Sequence, residues 1–373
     1  MRKMKHSKLR ILVKIVFAFL IVCFASCKDS NNKKEQSPKP DNPPSLPEAS
    51  FDDTTRKGKV GGVEFTLVAI DAVTEGSLGF QGIQDNELHK VSLTAYSIGE
   101  TEVTQELFTA VMGKNPSFFD NTQDKTWPLD EERDRTYHTT PFDGEVHEKR
   151  PIEHLNWFQA VVFCNKLSLL CNREPCYSLT LNGNPVDFMN LPFEQIPITP
   201  FSKDFEKMES LVNEWNKIEV DMSKNGFRLP TEAEWEWAAK GGTEDYYSGT
   251  SDIEKLKDYA WYDSDNDVNV GNHPDARTHE VKKKMANAYG LYDMTGNVWE
   301  WVWDQYGDVS DGQTDPLGYN GTENIERVVR GGSWNEEYDT CTRFFRYKSG
   351  PSYPTPDSLA GCLGFRIVCR SQK

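Results

Sequence analysis

The most reactive side chains in this sequence are its cysteines, of which there are eight. Cys23 lies in an apolar leader and Cys27 closes the run Phe24-Ala25-Ser26-Cys27. That leaves Cys164, Cys171, Cys176, Cys341, Cys362 and Cys369 for a folded domain. A thiolate is the nucleophilic and metal-binding form of this side chain, and paired thiolates suit a soft ion such as copper(I). In an exported protein the competing use is the disulfide, and an even count permits complete pairing. Cys171 and Cys176 stand close enough in sequence to close a small loop. No Cys-x-x-Cys occurs, and His89, His138, His147, His154, His273 and His279 follow no ligand spacing, so zinc is not indicated. A second chemistry is recognition. Between Arg330 and Arg366 the chain carries Trp334, Tyr338, Phe344, Phe345, Tyr347 and Tyr353 among Asn335, Glu336 and other small polar residues. Tyrosine beside small polar groups offers large contact area at low entropic cost. Trp334 and one of Phe344 and Phe345 are expected to pack inward, which leaves Tyr338, Tyr347 and Tyr353 for a ligand-binding surface.

Few regular elements are available to position these groups. The chain of 373 residues is 37% hydrophobic and 12% aromatic, which excludes a wholly disordered chain, and its 26 Gly and 20 Pro argue against a helical bundle. Three segments have helical periodicity with local stop and start signals. Thr104–Met112 ends at Gly113. Asn156–Leu170 starts on an N-cap asparagine. Thr231 and Glu234 form a capping box ahead of a helix that Gly241-Gly242 terminates. The rest reads as short strands and long loops, an irregular α+β domain. Residues 179–224 read as an insertion with its own helix near Phe205–Lys217.

The first 26 residues form a basic, then apolar, export signal whose apolar run from Ile11 to Phe24 is broken by Lys14. The Phe24-Ala25-Ser26-Cys27 end resembles the lipobox of bacterial lipoproteins, in which the cysteine becomes the lipidated N-terminus. Residues 27–59, rich in Pro, Lys, Asn and Ser, are expected to form an extended spacer reaching about 60–90 Å from the lipid, with the folded domain over 60–370. The expectation is a protein anchored in the bacterial cell envelope, at the outer membrane or cell surface. The formal net charge is −16, and −22 once the six basic groups of the leader are removed. Such a chain repels phosphate backbones, so no nucleic-acid partner is expected.

Five motifs then occur in order: Gly99-Glu100-Thr101-Glu102-Val103-Thr104, Gly226-Phe227-Arg228-Leu229-Pro230-Thr231-Glu232-Ala233-Glu234-Trp235-Glu236, Gly290-Leu291-Tyr292-Asp293-Met294-Thr295-Gly296-Asn297-Val298-Trp299-Glu300-Trp301, Arg330-Gly331-Gly332-Ser333-Trp334 and Gly364-Phe365-Arg366. Together they resemble the formylglycine-generating-enzyme, or sulfatase-modifying-factor, family over about Val60 to Cys369. The resemblance implies a C-type-lectin-like fold with long loops pinned by buried Trp and by calcium. It places calcium on Asp293, Gly296, Val298 and Glu300, the middle two through their carbonyls. It also implies a Cys164–Cys369 bridge, displaced by a couple of residues. Active members hold copper(I) on two cysteines after the RGGS motif and oxidise a sulfatase cysteine to formylglycine. Here Cys341, with Ser333 in the motif itself, stands at the second thiol position, but Glu336 occupies the first. A carboxylate is a hard ligand that stabilises copper(I) poorly, so neither copper nor oxidase activity is expected. The same segment resembles the ligand-binding cassettes of retroelement-diversified lectin-fold proteins, some of them surface lipoproteins. That likeness implies recognition of an extracellular or periplasmic protein or glycan through Asn335, Glu336, Tyr338, Tyr347 and Tyr353. The competing expectations are a formylglycine-generating oxidase and a scaffold subunit of an envelope secretion assembly.

Overall fold

Asn156 caps the helix Trp157–Leu170 by accepting from Gln159 N at 3.0 Å, while Gln159 Oε1 accepts from Asn156 N at 2.8 Å. This capping box satisfies two amide groups that would otherwise be stranded at a buried helix end. The helix is buried from Trp157 to Ser168, and its polar side chains Gln159, Asn165, Lys166 and Ser168 are each hydrogen-bonded. Glu232–Lys240 is built the same way. Thr231 and Glu234 cap each other, and Gly241 ends the helix at φ 61. Gln105–Met112 begins on Thr104 and ends on Gly113 at φ 71. A fourth helix, Phe205–Trp215, lies within the insertion. The computed structural model describes residues 46–373 apart from 131–132, 200–204, 264–275, 320–324, 355–361 and 371–373. The leader, Cys27 and most of the expected spacer fall outside the described residues.

The strands are short and belong to small curled sheets. The largest has six, in the order Ala49–Asp52, Lys57–Val60, Val63–Ile70, Tyr96–Gly99, Val368–Arg370 and Phe227–Arg228. A four-stranded sheet runs Tyr347–Ser349, Arg327–Arg330, Trp299–Gln305, Leu363–Gly364, and a three-stranded one runs Gln313–Thr314, His89–Leu93, Val73–Leu78. One boundary departs from the sequence reading. Residues 49–59 are not spacer, because Ala49–Asp52 pairs with Lys57–Val60 and that strand pairs with Val63–Ile70. The segment looks polar because it is an edge hairpin with one face in water, while Ala49, Phe51, Gly58 and Val60 take the inward face.

Tryptophans tie the sheets to the central helix. Trp157 Nε1 donates to Val302 O at 2.9 Å and Trp301 Nε1 to Leu155 O at 3.1 Å, so each large side chain is buried with its single donor satisfied. Phe108 stacks on Phe163 within the same core, and both meet Phe365 edge-on.

The expected disulfides do not form. Cys164, Cys171, Cys176 and Cys369 are buried, unbridged thiols. Cys171 caps the C-terminus of the central helix, while the Cys176 thiol points at Gly226 O, 3.4 Å away. Burial pushes the Cys171 and Cys176 thiols up to about 11 and the Cys369 thiol to about 12, the behaviour of small hydrophobes rather than reactive groups.

Candidate functional site

The site grows out of one antiparallel pair, Trp299–Gln305 with Arg327–Arg330, in register Glu300↔Arg330 and Trp301↔Val329. Beyond Arg330 the chain turns on Gly331 at φ 98 and Gly332 at φ 75. The second glycine has a steric reason as well as a conformational one. A Cβ there would fall 2.5 Å from Cys341 Sγ. The turn buries Ser333 and sends Trp334 into an aromatic box with Phe119 and Tyr137, with Trp334 N donating to Asn297 O at 3.0 Å. Trp334 is therefore core, as its sequence context implied. Phe344 is core too, stacked on Phe80 at 4.6 Å, while Phe345 is only partly covered.

Trp299 is the hub of the exposed side. Its indole N–H donates to Glu336 Oε1 at 3.2 Å, and its ring packs near Phe345 at 6.0 Å and Tyr347 at 5.7 Å. The Glu336 carbonyl accepts from Asp263 N at 2.8 Å, so the loop is fixed at both ends of that residue. Tyr338 and Tyr347 are exposed and Asn335 and Glu336 half-buried. Glu336 and Tyr347 thus meet on one indole. Tyr353 stands apart and lines a cavity of about 150 Å³ with Ile325, Glu209 and Asn213. The insertion is stitched to it, with Thr199 N donating to Ser352 O at 2.9 Å and Asn156 Nδ2 bridging Pro197 O and Ser352 O. Sequence reasoning missed Trp299 and Phe345 as parts of this face. The period of two in Trp299-Glu300-Trp301 was the available signal, since residues two apart on a strand share a face and Glu300 takes the other.

The surviving thiol is poorly placed for redox work. Cys341 is fully buried, its Sγ 4.0 Å from Ser333 O. Burial, reinforced by the nearby Glu336 charge, holds it well above the ordinary thiol range. The buried Cys362 is raised by burial and by the same carboxylate. Burial also raises Glu336, against the lowering effect of the Trp299 N–H. An oxygen acid beside protonated thiols is a weak copper(I) site.

The residues assigned to calcium present a mixed donor set. Asp293 is buried; Oδ2 accepts from Lys282 N at 2.9 Å, whereas Oδ1 has no hydrogen-bond partner and fits a cation. Glu300 is already committed. Arg366 donates to it at 2.7 and 2.6 Å, and Trp235 Nε1 donates at 2.8 Å. Arg366 also takes the carbonyls of Gly99, Tyr292 and Asp293, so a guanidinium supplies much of the positive charge this corner needs. Glu102, part of the first motif but assigned no role from the sequence, adds a third buried carboxyl that accepts from Val298 N and Asn297 Nδ2. Among the described residues, no group of three or more His, Cys, Asp and Glu side chains is arranged to hold a metal.

Behind the turn, Arg330 joins Glu232 at 2.6 Å and Glu236 at 2.8 Å, and Arg346 grips Glu232 with Nε and Nη2 at 2.7 and 2.9 Å. These side chains are all buried, so the network ties the helix Glu232–Lys240 rigidly to the strand that feeds the turn.

The comparisons agree with this geometry. The structure of Treponema denticola variable protein 1 superposes with a TM-score of 0.69 at 46% identity, covering 84% of this chain and 98% of that one. Chaperone protein LppX of Paenibacillus barcinonensis is 29% identical over 74% of this chain and 81% of its own length. The formylglycine-generating enzyme of Streptomyces coelicolor is 33% identical over 41% of this chain and 50% of its own. The inactive C-alpha-formylglycine-generating enzyme 2 of Bos taurus is 32% identical over 47% and 56%. The chain thus spans about half the length of these two relatives. The model of the sulfatase-modifying factor enzyme 1-like domain matches residues 65–371. With the short curled sheets and the motif-built turn, that match makes the chain a member of the sulfatase-modifying factor enzyme 1-like domain family.

Proposed function

We propose that this protein is a non-catalytic member of the family, exported, lipid-anchored through Cys27, and devoted to recognising a protein or glycan at the cell envelope. The observation that carries the reading is Glu336. It fills the position of the first copper-binding thiol, is tied to Trp299, and leaves Cys341 sealed in the interior. The family includes a relative named as inactive, which supports a fold kept without its chemistry. A relative named as a chaperone, matched over most of its length, supports a protein as the ligand. Tyr338, Tyr347, Asn335 and Glu336 form the contact face, with Tyr353 on a separate wall beside the insertion. Calcium would draw on Asp293 Oδ1 and the carbonyls of Gly296 and Val298, with Glu300 shared with Arg366; its contribution is to stiffen the loop beneath that face.

The test is a peptide-oxidation assay with copper(I), dioxygen and a Cys-x-Pro-x-Arg peptide, read by mass spectrometry. No formylglycine is the expected result. Conversion that is lost in Cys341→Ala would overturn the reading and establish Glu336 as a tolerated ligand in an oxidase.

A further inference from the structure

A second site lies away from the aromatic face. A cavity of about 110 Å³ opens between the helix Glu232–Lys240, the strand His89–Leu93 and the loop 308–319, room for roughly four waters. Its walls include Leu78, Val91 and Ala233, all buried. Its mouth carries the exposed Asp308, Leu317 and Tyr319.

Two buried side chains of the lining, Asn86 and Asp304, each keep one acceptor without a donor. Asn86 is 1% exposed; its Nδ2 donates to Glu236 Oε2 and Phe344 O, but its Oδ1 has no partner. Asp304 is 2% exposed and takes Glu232 N on Oδ2 at 2.7 Å. Among the described residues, no basic side chain forms an ion pair with it. Gly318, at φ 79, passes close by, and a Cβ there would stand 2.7 Å from Asp304 Oδ1. Only glycine leaves that oxygen uncovered. The one guanidinium lining the cavity, Arg346, is occupied: its three nitrogens donate to Glu232 and Asp85. No lysine lines the cavity, so its remaining side-chain donors, on His89, Ser310, Gln313 and Tyr319, are not lysine or arginine cations. Burial and the Glu232 charge push the Asp304 carboxyl up to about 8, as befits an acid held without a cation.

We propose that this cavity binds the ammonium end of a primary alkyl amine, with the charge on Asp304 and Asn86 and the methylenes along Leu78, Val91 and Leu317. Apolar walls over an acceptor floor complement that group, because its three N–H donors need oxygens and its stem needs a dry wall.

The experiment is a calorimetric titration of the protein with n-butylammonium, and with n-butanol as its neutral counterpart. Saturable amine binding, at least ten-fold tighter than that of the alcohol, is expected. Asp304→Asn keeps the side-chain shape and is expected to weaken amine binding at least ten-fold. Leu317→Lys alters only an exposed position, sets a tethered ammonium at the mouth, and is expected to compete to a similar extent. Equal binding of amine and alcohol, no saturation, or undiminished amine binding in both variants overturns the proposal. N-acetyl-lysine methylamide separates two sources of the group. Binding on a par with n-butylammonium assigns a lysine side chain of a partner protein, and binding of the small amine alone assigns a free amine.

Discussion

Glu336 Oε1 accepts the indole N–H of Trp299 at 3.2 Å, so this acid braces the loop after the turn against the strand beneath it. Glu336→Cys removes that brace and restores a pair of thiols with Cys341. The variant is expected to take copper(I) from a competing chelator at least ten-fold more strongly than the parent protein. Cys341→Ser in the same background is expected to abolish the gain. Equal copper(I) uptake by parent and variant would show that residue 336 does not reach the thiol site.

Gly332→Ala is expected to destabilise the fold by about 2–3 kcal/mol, measured by denaturant unfolding. Two causes combine: φ 75 and the 2.5 Å approach to Cys341 Sγ. Cys341→Ala removes the sulfur but not the strain. The double variant should therefore be less unstable than the sum of the two single ones, and strict additivity would show that the thiol is not what crowds the turn.

Arg366→Met leaves Glu300 buried with its cation gone, although Trp235 still donates to it. The expected cost is about 3–5 kcal/mol, because an uncompensated buried charge is far worse than the pair it came from. A loss under 1 kcal/mol would mean that another cation serves Glu300.

Stability should fall as pH rises from about 4 to 8, in part through Asp304. Its carboxyl, near 4 when unfolded, is pushed up to about 8 in the folded protein by burial and by Glu232. The native state therefore holds a proton that the unfolded chain has released across that window, and raising the pH favours unfolding. Asp304→Asn, compared with the parent by thermal unfolding at several pH values, should show a shallower decline. An unchanged slope would place the titration elsewhere.

Tyr338 and Phe344 lie close in sequence but should separate surface from core. Phe344→Ala is expected to cost about 3–5 kcal/mol, since its ring stacks on Phe80 and meets Tyr246 edge-on. Tyr338→Ala, at an exposed position, should stay within about 0.5 kcal/mol of the parent. Comparable losses in both would mean that Tyr338 is a packing residue and not part of a contact face.

What could be read from the sequence was what local chemistry determines. Caps at Asn156 and Thr231 mark helix starts because the side chain and the amide it bonds are three residues apart, whatever the rest of the fold does. The inward packing of Trp334 was legible from its place in the Arg330-Gly331-Gly332-Ser333-Trp334 motif. The edge hairpin at 49–60 was not, since its pairing with Val63–Ile70 is a matter of register between strands and its own residues are largely polar. The disulfides were misjudged for a related reason: an even number of cysteines says nothing about which way each thiol points, and Cys176 turns to a carbonyl instead. Glu232 sits in the first turn of its helix, a favourable place for an acid. Its second role, between Arg330 and Arg346, depends on strands about a hundred residues away.

That edge hairpin also sets how the domain carries mechanical load. Tension on the chain ahead of Ala49 enters the six-stranded sheet at its outermost strand, at the end where Ala49 faces Val60. Pulled from that end, the ladder opens one rung at a time, the weak direction for a hairpin. The peeling meets a stop just past Asp52, where Asp53 is clasped by Arg173 at 2.8 and 2.9 Å and that guanidinium lies over Phe51 and Phe227. Four residues of strand therefore act as slack that extends under strain, and the ionic clasp behind them is where the pull first meets the core.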